Sequence, residues 1–201
     1  MDLVAAIILA AGRSTRMGSS KMLLPWNEKT VLETVIGLAT KAKLAPIVVV
    51  TGAYHEETLK IISKYTQEVE EIHNPDFAQL EMFHSLKMGV KSLINRCDAA
   101  VIFLGDQPQI ESDVILQIIS RFNEKNSQII IPSFQMRRGH PILIQQDLFP
   151  EIVATPDDNN LKDFLAKNKN DIDYVVVNTP SVLQDMDSPE DYHRIKDIHE
   201  K

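Results

Sequence analysis

The sequence is short of cysteine, of positive charge and of long apolar runs. Its one cysteine, Cys97, cannot form an internal disulfide, which is typical of proteins of the reducing cytoplasm. The net charge of -7 argues against nonspecific nucleic-acid binding, because such binding usually needs a basic face. The N-terminal apolar stretch has no basic residue before it and ends at Gly12, which argues against a signal peptide or a membrane span. We therefore expect a cytoplasmic protein that binds neither nucleic acid nor membranes.

Two common phosphate-binding motifs are also missing, but a third kind of phosphate loop is present. The chain has neither a Walker A Gly-Lys-Ser/Thr nor a Gly-x-Gly-x-x-Gly. Instead, a predicted buried strand over Val4–Leu9 runs into a small-residue turn that carries three cations, Arg13, Arg16 and Lys21. Successive backbone N–H groups in such a turn form a concavity for anions. The alternative is an ordinary loop with solvated arginines, but the combination favours triphosphate binding. The residues we assign to nucleotide binding here are Leu9, Ala10, Ala11, Gly12, Arg13, Gly18 and Lys21.

Apolar β-branched runs alternate with amphipathic segments of helical length along the chain. With 201 residues and 44% hydrophobic content, the chain can form one sizeable α/β core, and no linker divides it. This alternation predicts a three-layer α/β fold with a mainly parallel sheet that becomes mixed after Arg137. The predicted strands are Val4–Leu9, Ile47–Thr51, Glu68–His73, Ala99–Leu104, Gln128–Pro132, Pro141–Ile144 and Tyr174–Val177. The predicted helices include Val31–Lys43, His55–Tyr65, Phe77–Leu93 and Ser112–Asn123, with two more between the last two strands.

A carboxylate follows the predicted strand Ala99–Leu104 in the sequence Gly105-Asp106-Gln107-Pro108. Ligands of open α/β sheets gather outside the carboxyl ends of the strands, so Asp106 should lie at the same edge as the Gly12 turn. A carboxylate there is suited to Mg²⁺, which also binds phosphate oxygens and water. The alternative is that Asp106 only caps the following turn.

A second carboxylate is expected in the segment from Gln184 to Asp191, because a triphosphate and its metal need several charged partners. Ser188 and Pro189 have the properties of a helix start, and Glu190 and Asp191 favour the positive end of a helix. We therefore retain only Asp187 as a metal or substrate contact.

Residues 9–21 resemble the opening of the MobA-like nucleotidyltransferases, Leu-Ala-(Ala/Gly)-Gly-x-x-x-Arg-Met-Gly-x-x-Lys, without a gap. Within that family, Ala10-Ala11-Gly12 followed by Lys21-Met22-Leu23-Leu24-Pro25 is most similar to the molybdenum cofactor cytidylyltransferase group. The guanylyltransferase group usually has Ala-Gly-Gly and an Asp before the lysine, where this chain has Ser20. The resemblance implies a glycosyltransferase-A-like, Rossmann-like fold, with residues 1–201 as a single nucleotidyltransferase domain.

Two further segments extend the resemblance, and one departs from it. Asn74 and Ser85 lie in a block that approaches the nucleotide base in the family, although Glu81 stands where glycine is usual. The segment Arg137-Arg138-Gly139-His140-Pro141 resembles the acceptor-side loop, which implies acceptor binding by Arg138, Gly139 and His140. The usual Gly-Asp-x-Gly-Ala-Arg is replaced by residues 155–162, which lack the arginine and both glycines.

The resemblance implies Mg²⁺-dependent transfer of CMP, or less readily GMP, from a nucleoside triphosphate to a small phosphorylated acceptor such as molybdopterin. Lys21, Arg16 and Asp106 would be catalytic, and Asp106 with Asp187 would hold the metal. Delivery of the product to a molybdoenzyme would follow. Two alternatives stay open, namely a sugar- or polyol-phosphate cytidylyltransferase and a noncatalytic accessory protein that binds molybdopterin.

Overall fold

The computed structural model describes residues 2–14, 20–65, 69–80, 82–125 and 127–199. The strands in these ranges are β1 (Val4–Ala10), β2 (Pro25–Trp26), β3 (Lys29–Thr30), β4 (Ile47–Thr51), β5 (Val69–His73), β6 (Ala99–Leu104), β7 (Ile129–Phe134), β8 (Arg137–Arg138), β9 (Ile142–Gln145) and β10 (Ile172–Val176). The α-helices are α1 (Val31–Lys41), α2 (His55–Ile62), α3 (Met82–Leu93), α4 (Ser112–Lys125), α5 (Phe149–Ala154), α6 (Leu161–Lys167) and α7 (Pro189–His199). None of these helices has the length and apolar character that a membrane span requires.

One mixed sheet organises the described part of the chain. Its strand order is β10-β7-β9-β6-β1-β4-β5, and the short β8 pairs with β7. The neighbours β6, β1, β4 and β5 are parallel, whereas β9 runs antiparallel to both β6 and β7. The prediction of a mainly parallel sheet that becomes mixed after Arg137 is therefore confirmed.

Helices cover both faces of the sheet, because its central strands are apolar on both sides. Along β1 every residue is buried, and successive side chains enter opposite cores, as Ile7 and Ile8 illustrate. One core packs the sheet against α1, α2 and α4, and the other packs it against α3, α5 and α6. The result is the predicted three-layer α/β architecture.

A third, smaller core lies beside the sheet. The β2–β3 hairpin and the start of α1 pack there against α7 and the residues before it. The residues of this cluster are Trp26, Val31, Met186, Tyr192 and Ile195. The hydroxyl of Tyr192 also donates a hydrogen bond to the carbonyl of Pro25. This packing brings the chain around Lys21 close to the chain around Asp187.

The predicted helix over Phe77–Leu93 is wrong at its start. The side chain of Asn74 accepts a hydrogen bond from the N–H of Asp76, and the N–H groups of Gln79 and Leu80 both donate to the carbonyl of Asp76. These bonds hold residues 76–80 in turns, and α3 begins only at Met82. The apolar residues of the turn had suggested helical periodicity, although they do not extend the helix.

Candidate active site

The loops that follow β1 and β6 emerge at the same edge of the sheet, as the sequence predicted. These strands are parallel neighbours, with Leu9 opposite Leu104. The N–H of Gly105 donates to the carbonyl of Leu9 at 2.9 Å. A Cβ on Gly105 would lie only 2.8 Å from that oxygen, so glycine permits this close approach. The Gly12 turn and Asp106 are therefore adjacent.

A cavity of about 340 Å³ lies at this edge. It combines carboxylates with apolar side chains, which suits a ligand that has a charged part and an aromatic or apolar part. The lining residues are Leu9, Ala11, Gly12, Met22, Phe77, Leu80, Met82, Ser85, Leu104, Asp106, Asp185 and Asp187. Among the described residues, and apart from its two chain neighbours, no atom would lie within 4 Å of a Cβ on Gly12, so packing in this part of the chain does not require glycine there.

Lys21 is buried beside the cavity and connects its two acidic loops. The backbone N–H of Lys21 donates to Ser14 Oγ at 3.1 Å, which links the chain at Lys21 to the residues that follow the Gly12 turn. Its Nζ donates to Asp187 Oδ1 at 2.8 Å and to Asp106 Oδ2 at 3.3 Å. Burial alone would lower the pKa of Lys21, but the hydrogen bonds and charges of Asp187 and Asp106 outweigh it and raise the pKa. Lys21 is therefore a fixed positive charge.

Asp185 is a third carboxylate of this cluster that the sequence analysis did not select. It accepts a hydrogen bond from Gln107 Nε2 at 3.2 Å. Partial burial, followed by the charges of Asp187 and Asp106, raises the pKa of Asp185. Three carboxylates, those of Asp106, Asp185 and Asp187, thus lie near the single ammonium of Lys21.

This donor set fits a magnesium ion. Mg²⁺ prefers carboxylate, phosphate and water oxygens. The cavity lining offers three carboxylates, those of Asp106, Asp185 and Asp187. A bound divalent cation would relieve the repulsion among the carboxylates and would therefore lower the raised pKa of Asp185.

Hydrogen bonds position the segment that carries Asp185 and Asp187. Gln109 Nε2 donates to the carbonyls of Gln184 and Ser181 at 2.7 and 3.3 Å. The N–H of His140 donates to the carbonyl of Val182 at 3.1 Å. The loop after β6 and the loop before β9 therefore hold this segment from two sides.

The other residues predicted to bind the nucleotide lie on or behind the cavity wall. Ser85 lines the cavity, and its Oγ accepts a hydrogen bond at 2.9 Å from Nδ2 of Asn74, which is fully buried behind it. The guanidinium of Arg13 lies 5.8 Å from the ring centroid of Phe77, a lining residue. Ala10 is not among the lining residues, because its side chain packs into the opposite core.

The residues predicted to bind the acceptor do not line the cavity. Arg138 lies on β8, and its guanidinium is 5.6 Å from the ring centroid of Tyr174. Gly139 is buried, since a Cβ there would lie 2.4 Å from the carbonyl oxygen of Val182. Burial lowers the pKa of His140 to about 4, so its imidazole is neutral near pH 7. In this structure Gly139 and His140 support the segment that leads to Asp185.

Three residues of the sequence interpretation, Arg16, Gly18 and Glu81, lie outside the described residues.

The segment that departs from the family pattern, residues 155–162, is held by α3 through Asp157. Its Oδ1 accepts hydrogen bonds from Lys87 Nζ at 2.7 Å and pairs with His84 Nδ1 at 3.1 Å. Lys87 also donates to the carbonyl of Thr155 at 2.6 Å.

Some of the lining residues could have been found from the sequence. Asp185 and Asp187 are separated by one residue, and an extended segment places such residues on one side of the chain. Phe77, Leu80 and Met82 follow Asn74-Pro75, a turn signal that argues against an uninterrupted helix. No local signal marked Gln109, since its role depends on a segment far along the chain.

A mixed α/β sheet with the Gly12 turn and three carboxylates around one cavity is the arrangement expected of a nucleotidyltransferase fold. A solved structure described as a nucleotidyl transferase from Methanothermobacter thermautotroptrophicus superimposes with a TM-score of 0.83 at 24% identity, covering 99% of this chain and 98% of that one. The Rv0371c protein of Mycobacterium tuberculosis, solved as a complex with manganese, matches with a TM-score of 0.78 at 22% identity, covering 97% and 98% of the two chains. These likenesses show the fold.

The sequence relationships then give the family. Residues 6–172 match the model of the MobA-like NTP transferase domain. The molybdenum cofactor cytidylyltransferase of Escherichia coli (strain K12) is 31% identical over 199 residues, which cover 98% of this chain and 97% of that protein. The chain belongs to the MobA-like NTP transferase family, and the resemblance inferred from residues 9–25 is confirmed.

Proposed function

We propose that this protein transfers CMP from CTP to a phosphate group of molybdopterin, with release of pyrophosphate and dependence on Mg²⁺. The observation that carries the proposal is the Lys21 ammonium, paired with Asp106 and Asp187 beside a cavity that the Gly12 turn also lines. The 31% identity to a molybdenum cofactor cytidylyltransferase supports the choice of base and acceptor.

In the proposed reaction, an acceptor phosphate oxygen attacks the α-phosphorus of CTP in line. The new P–O bond forms as the bond to the β-phosphate oxygen breaks, and pyrophosphate leaves with the electron pair. A phosphate nucleophile is already ionised near neutral pH, so no general base is required. Catalysis then consists mainly of positioning and charge neutralisation.

The residues take the following roles in this proposal. Backbone N–H groups of the Ala11–Gly12 turn, with Arg13 and Arg16, would bind the β- and γ-phosphates. The Lys21 ammonium, which lies beside the cavity, would contact the α-phosphate and the attacking oxygen. Ser85 would contact the base from the cavity wall, and Asn74 would act on the base site from behind it by holding the Ser85 hydroxyl.

Asp106 and Asp187, and with them Asp185, would hold the magnesium ion. When bound, Mg²⁺ supplies neutralisation of charge on the phosphate oxygens. Ion pairs with Lys21 hold the Asp106 and Asp187 carboxylates in place before the nucleotide binds.

The segment that departs from the family pattern leaves two further candidates for the acceptor and its chemistry. Residues 155–162 lack the family's usual arginine, and Asp157 is engaged by Lys87 and His84 on α3. A sugar or polyol phosphate is therefore the second candidate acceptor. A noncatalytic molybdopterin carrier is the third reading, which the Lys21 and carboxylate cluster disfavours.

The proposal also includes a cytoplasmic setting and delivery of the product to a molybdoenzyme. The single cysteine supports the first part, because Cys97 alone cannot form an internal disulfide, as is typical of proteins of a reducing compartment.

The deciding experiment measures pyrophosphate release with each of the four ribonucleoside triphosphates, with Mg²⁺ and with molybdopterin as acceptor. Selective release with CTP would support the proposal. Parallel reactions use a sugar phosphate and methylerythritol phosphate in place of molybdopterin.

Release only with a sugar or polyol phosphate would overturn the acceptor assignment. Calorimetric binding of CTP without pyrophosphate release under any acceptor would instead favour the noncatalytic carrier. The variant Asp106→Asn is the matched control for the dependence of pyrophosphate release on the proposed metal site, because it removes one carboxylate charge and keeps the side-chain shape.

A further inference from the structure

A second cluster of metal-ligating side chains lies at the edge of the sheet, apart from the aspartate cluster. His55 is the first residue of α2, and Glu71 and His73 lie on β5, which is the last strand of the sheet on this side. Glu71 and His73 are two residues apart and so share one face of the strand. His73 pairs in register with Thr51 at the end of β4.

The ligand atoms already converge. His55 Nδ1 lies 3.3 Å from Glu71 Oε1, and one ligand atom from each of the three residues can be chosen so that all lie within 4.8 Å of one another. Thr51 Oγ1 lies 3.1 Å from His55 Nδ1 and 3.4 Å from His73 Nδ1, and it donates a hydrogen bond to Glu71. Ligands about 2.0–2.1 Å from a tetrahedral Zn²⁺ lie roughly 3.3–3.4 Å apart, so small side-chain rotations would complete the site.

The chemistry of this set differs from that of the aspartate cluster. Two imidazole nitrogens and one carboxylate oxygen favour a first-row transition ion, whereas Mg²⁺ prefers oxygen ligands. His55 and Glu71 are partly exposed and His73 is exposed, so an ion can enter and a water can complete its coordination.

We propose that His55, Glu71 and His73 form a binding site for a divalent transition ion, with Zn²⁺ as the preferred ion. This site is separate from the proposed magnesium site and does not take part in phosphoryl transfer.

The bound ion would fasten the strand ends that support the nucleotide cavity. Directly after His73, the N–H of Asn74 donates to the carbonyl of Thr51 at 2.9 Å, and the Asn74 side chain contacts Ser85 on the cavity wall. On the other side, the N–H of Ala53 donates to the carbonyl of Ala11 at 3.3 Å. Zinc binding should therefore stabilise the folded protein and its cavity wall.

The test is calorimetric titration of ZnCl₂ into the chelator-treated full chain in magnesium-free buffer, with Co²⁺ absorption as a second readout. We expect one equivalent of Zn²⁺ and the visible d–d bands of tetrahedral Co²⁺. The double variant His55→Gln/His73→Gln, and separately Glu71→Gln, should each bind Zn²⁺ at least about 10–100-fold more weakly. Circular dichroism verifies that the variants are folded.

Two control variants locate the ion. His193→Gln removes an exposed histidine of α7, and Asp106→Asn alters the aspartate cluster; both should keep the zinc affinity and the zinc-dependent rise in Tm. Zinc binding that is absent in the wild type, unchanged in the double variant, or lost in Asp106→Asn would overturn the proposal. None of these outcomes depends on nucleotidyl transfer, so this site and the proposed function can fail independently.

Discussion

At the scale of single residues, the charge balance of the cavity depends on Lys21. Its ammonium joins Asp106 and Asp187, which are 85 and 166 residues away in the sequence. One ammonium thus links two acidic loops that lie far apart in the sequence. Asp185 lies beside them, and partial burial together with the charges of Asp187 and Asp106 raises its pKa.

Lys21→Ala should reduce nucleotidyl transfer on the order of a hundredfold, because one positioned charge that stabilises the transition state is removed. The measurement is the rate of pyrophosphate release at saturating CTP and acceptor. Lys64→Ala is the matched control, since Lys64 forms an ion pair with Glu33 at 2.7 Å away from the cavity residues. Activity of Lys21→Ala within about threefold of the wild type would contradict the assignment.

His140 should make the stability of the protein pH-dependent. Burial lowers the pKa of the His140 imidazole to about 4. The imidazole therefore stays neutral in the folded protein down to about pH 4, whereas in the unfolded chain it takes up a proton near pH 6.5. Stability from this group is complete above about pH 6.5 and is lost as the pH falls toward about 4, by roughly 3 kcal/mol at most.

Urea unfolding of the wild type and of His140→Gln, at several pH values across this window, measures that contribution. The other titrating groups are common to both proteins and cancel in the difference. We expect the wild type to lose more stability than the variant as the pH falls. Equal losses would mean that the imidazole is not buried in the neutral form.

At the scale of elements, the site depends on a contact between the loop before β9 and the short helical turn Pro180–Leu183. Gly139 lies directly under Val182, and its N–H donates to the carbonyl of Pro132 at 2.9 Å. The chain after this turn carries Asp185 and Asp187. The packing of the turn Pro180–Leu183, which is far from the Gly12 turn in the sequence, thus sets the position of two of the three carboxylates.

Gly139→Ala should destabilise the fold by about 1–3 kcal/mol, because the new Cβ would overlap the Val182 carbonyl and force the turn to shift. The same shift should raise the Mg²⁺ concentration needed for half-maximal activity. Gly37→Ala on α1 is the control. A Cβ there would have Lys29 Nζ at 3.8 Å as its nearest neighbour.

In an otherwise regular helix, that control change should stabilise the protein by about 0.5–1 kcal/mol. Urea unfolding measures both variants, and magnesium titration of activity follows the site. A Gly139→Ala protein with wild-type stability and wild-type magnesium dependence would refute the role given to this contact.

At the scale of the whole molecule, the third core joins the two parts of the chain that build the cationic and acidic sides of the cavity. Trp26 on the hairpin after Lys21 packs with Met186, the residue before Asp187, and with Tyr192 on α7. The C-terminal helix is therefore part of the site's support, although none of its residues lines the cavity.

Trp26→Ala should cost about 3–5 kcal/mol, as expected for a large aromatic removed from a buried cluster, and should also reduce activity. Thermal unfolding measured by circular dichroism gives the first value. Tyr174→Ala, which truncates an aromatic side chain exposed on β10, should stay within about 1 kcal/mol of the wild type. If α7 docks independently of the sheet, Trp26 fluorescence and circular dichroism would change at different temperatures, whereas one cooperative unit gives coincident transitions.

Local patterns in the chain were sufficient to predict the central strands and the position of Asp106 beside the Gly12 turn. Apolar runs such as Val4–Leu9 report burial on both faces of a sheet, and the rule that parallel strands end at one edge places Asp106 beside Gly12. Ser188 as a helix start is another local signal, and its Oγ accepts a hydrogen bond from the N–H of Asp191 at 3.2 Å. Each of these features depends on neighbours within a few residues or on a general rule of sheet topology.

Tertiary packing alone decided which distant residues meet. The pairing of Lys21 with Asp187, the support of Val182 by Gly139 and the convergence of His55, Glu71 and His73 depend on strand order and on how loops pack. The turn over residues 76–80, which replaced the predicted helix start, depends on local hydrogen bonds to Asn74 and Asp76, and only its place on the cavity wall depends on tertiary packing. Periodicity in a sequence records which face of an element is buried, but it carries no information about the distance between side chains on different elements.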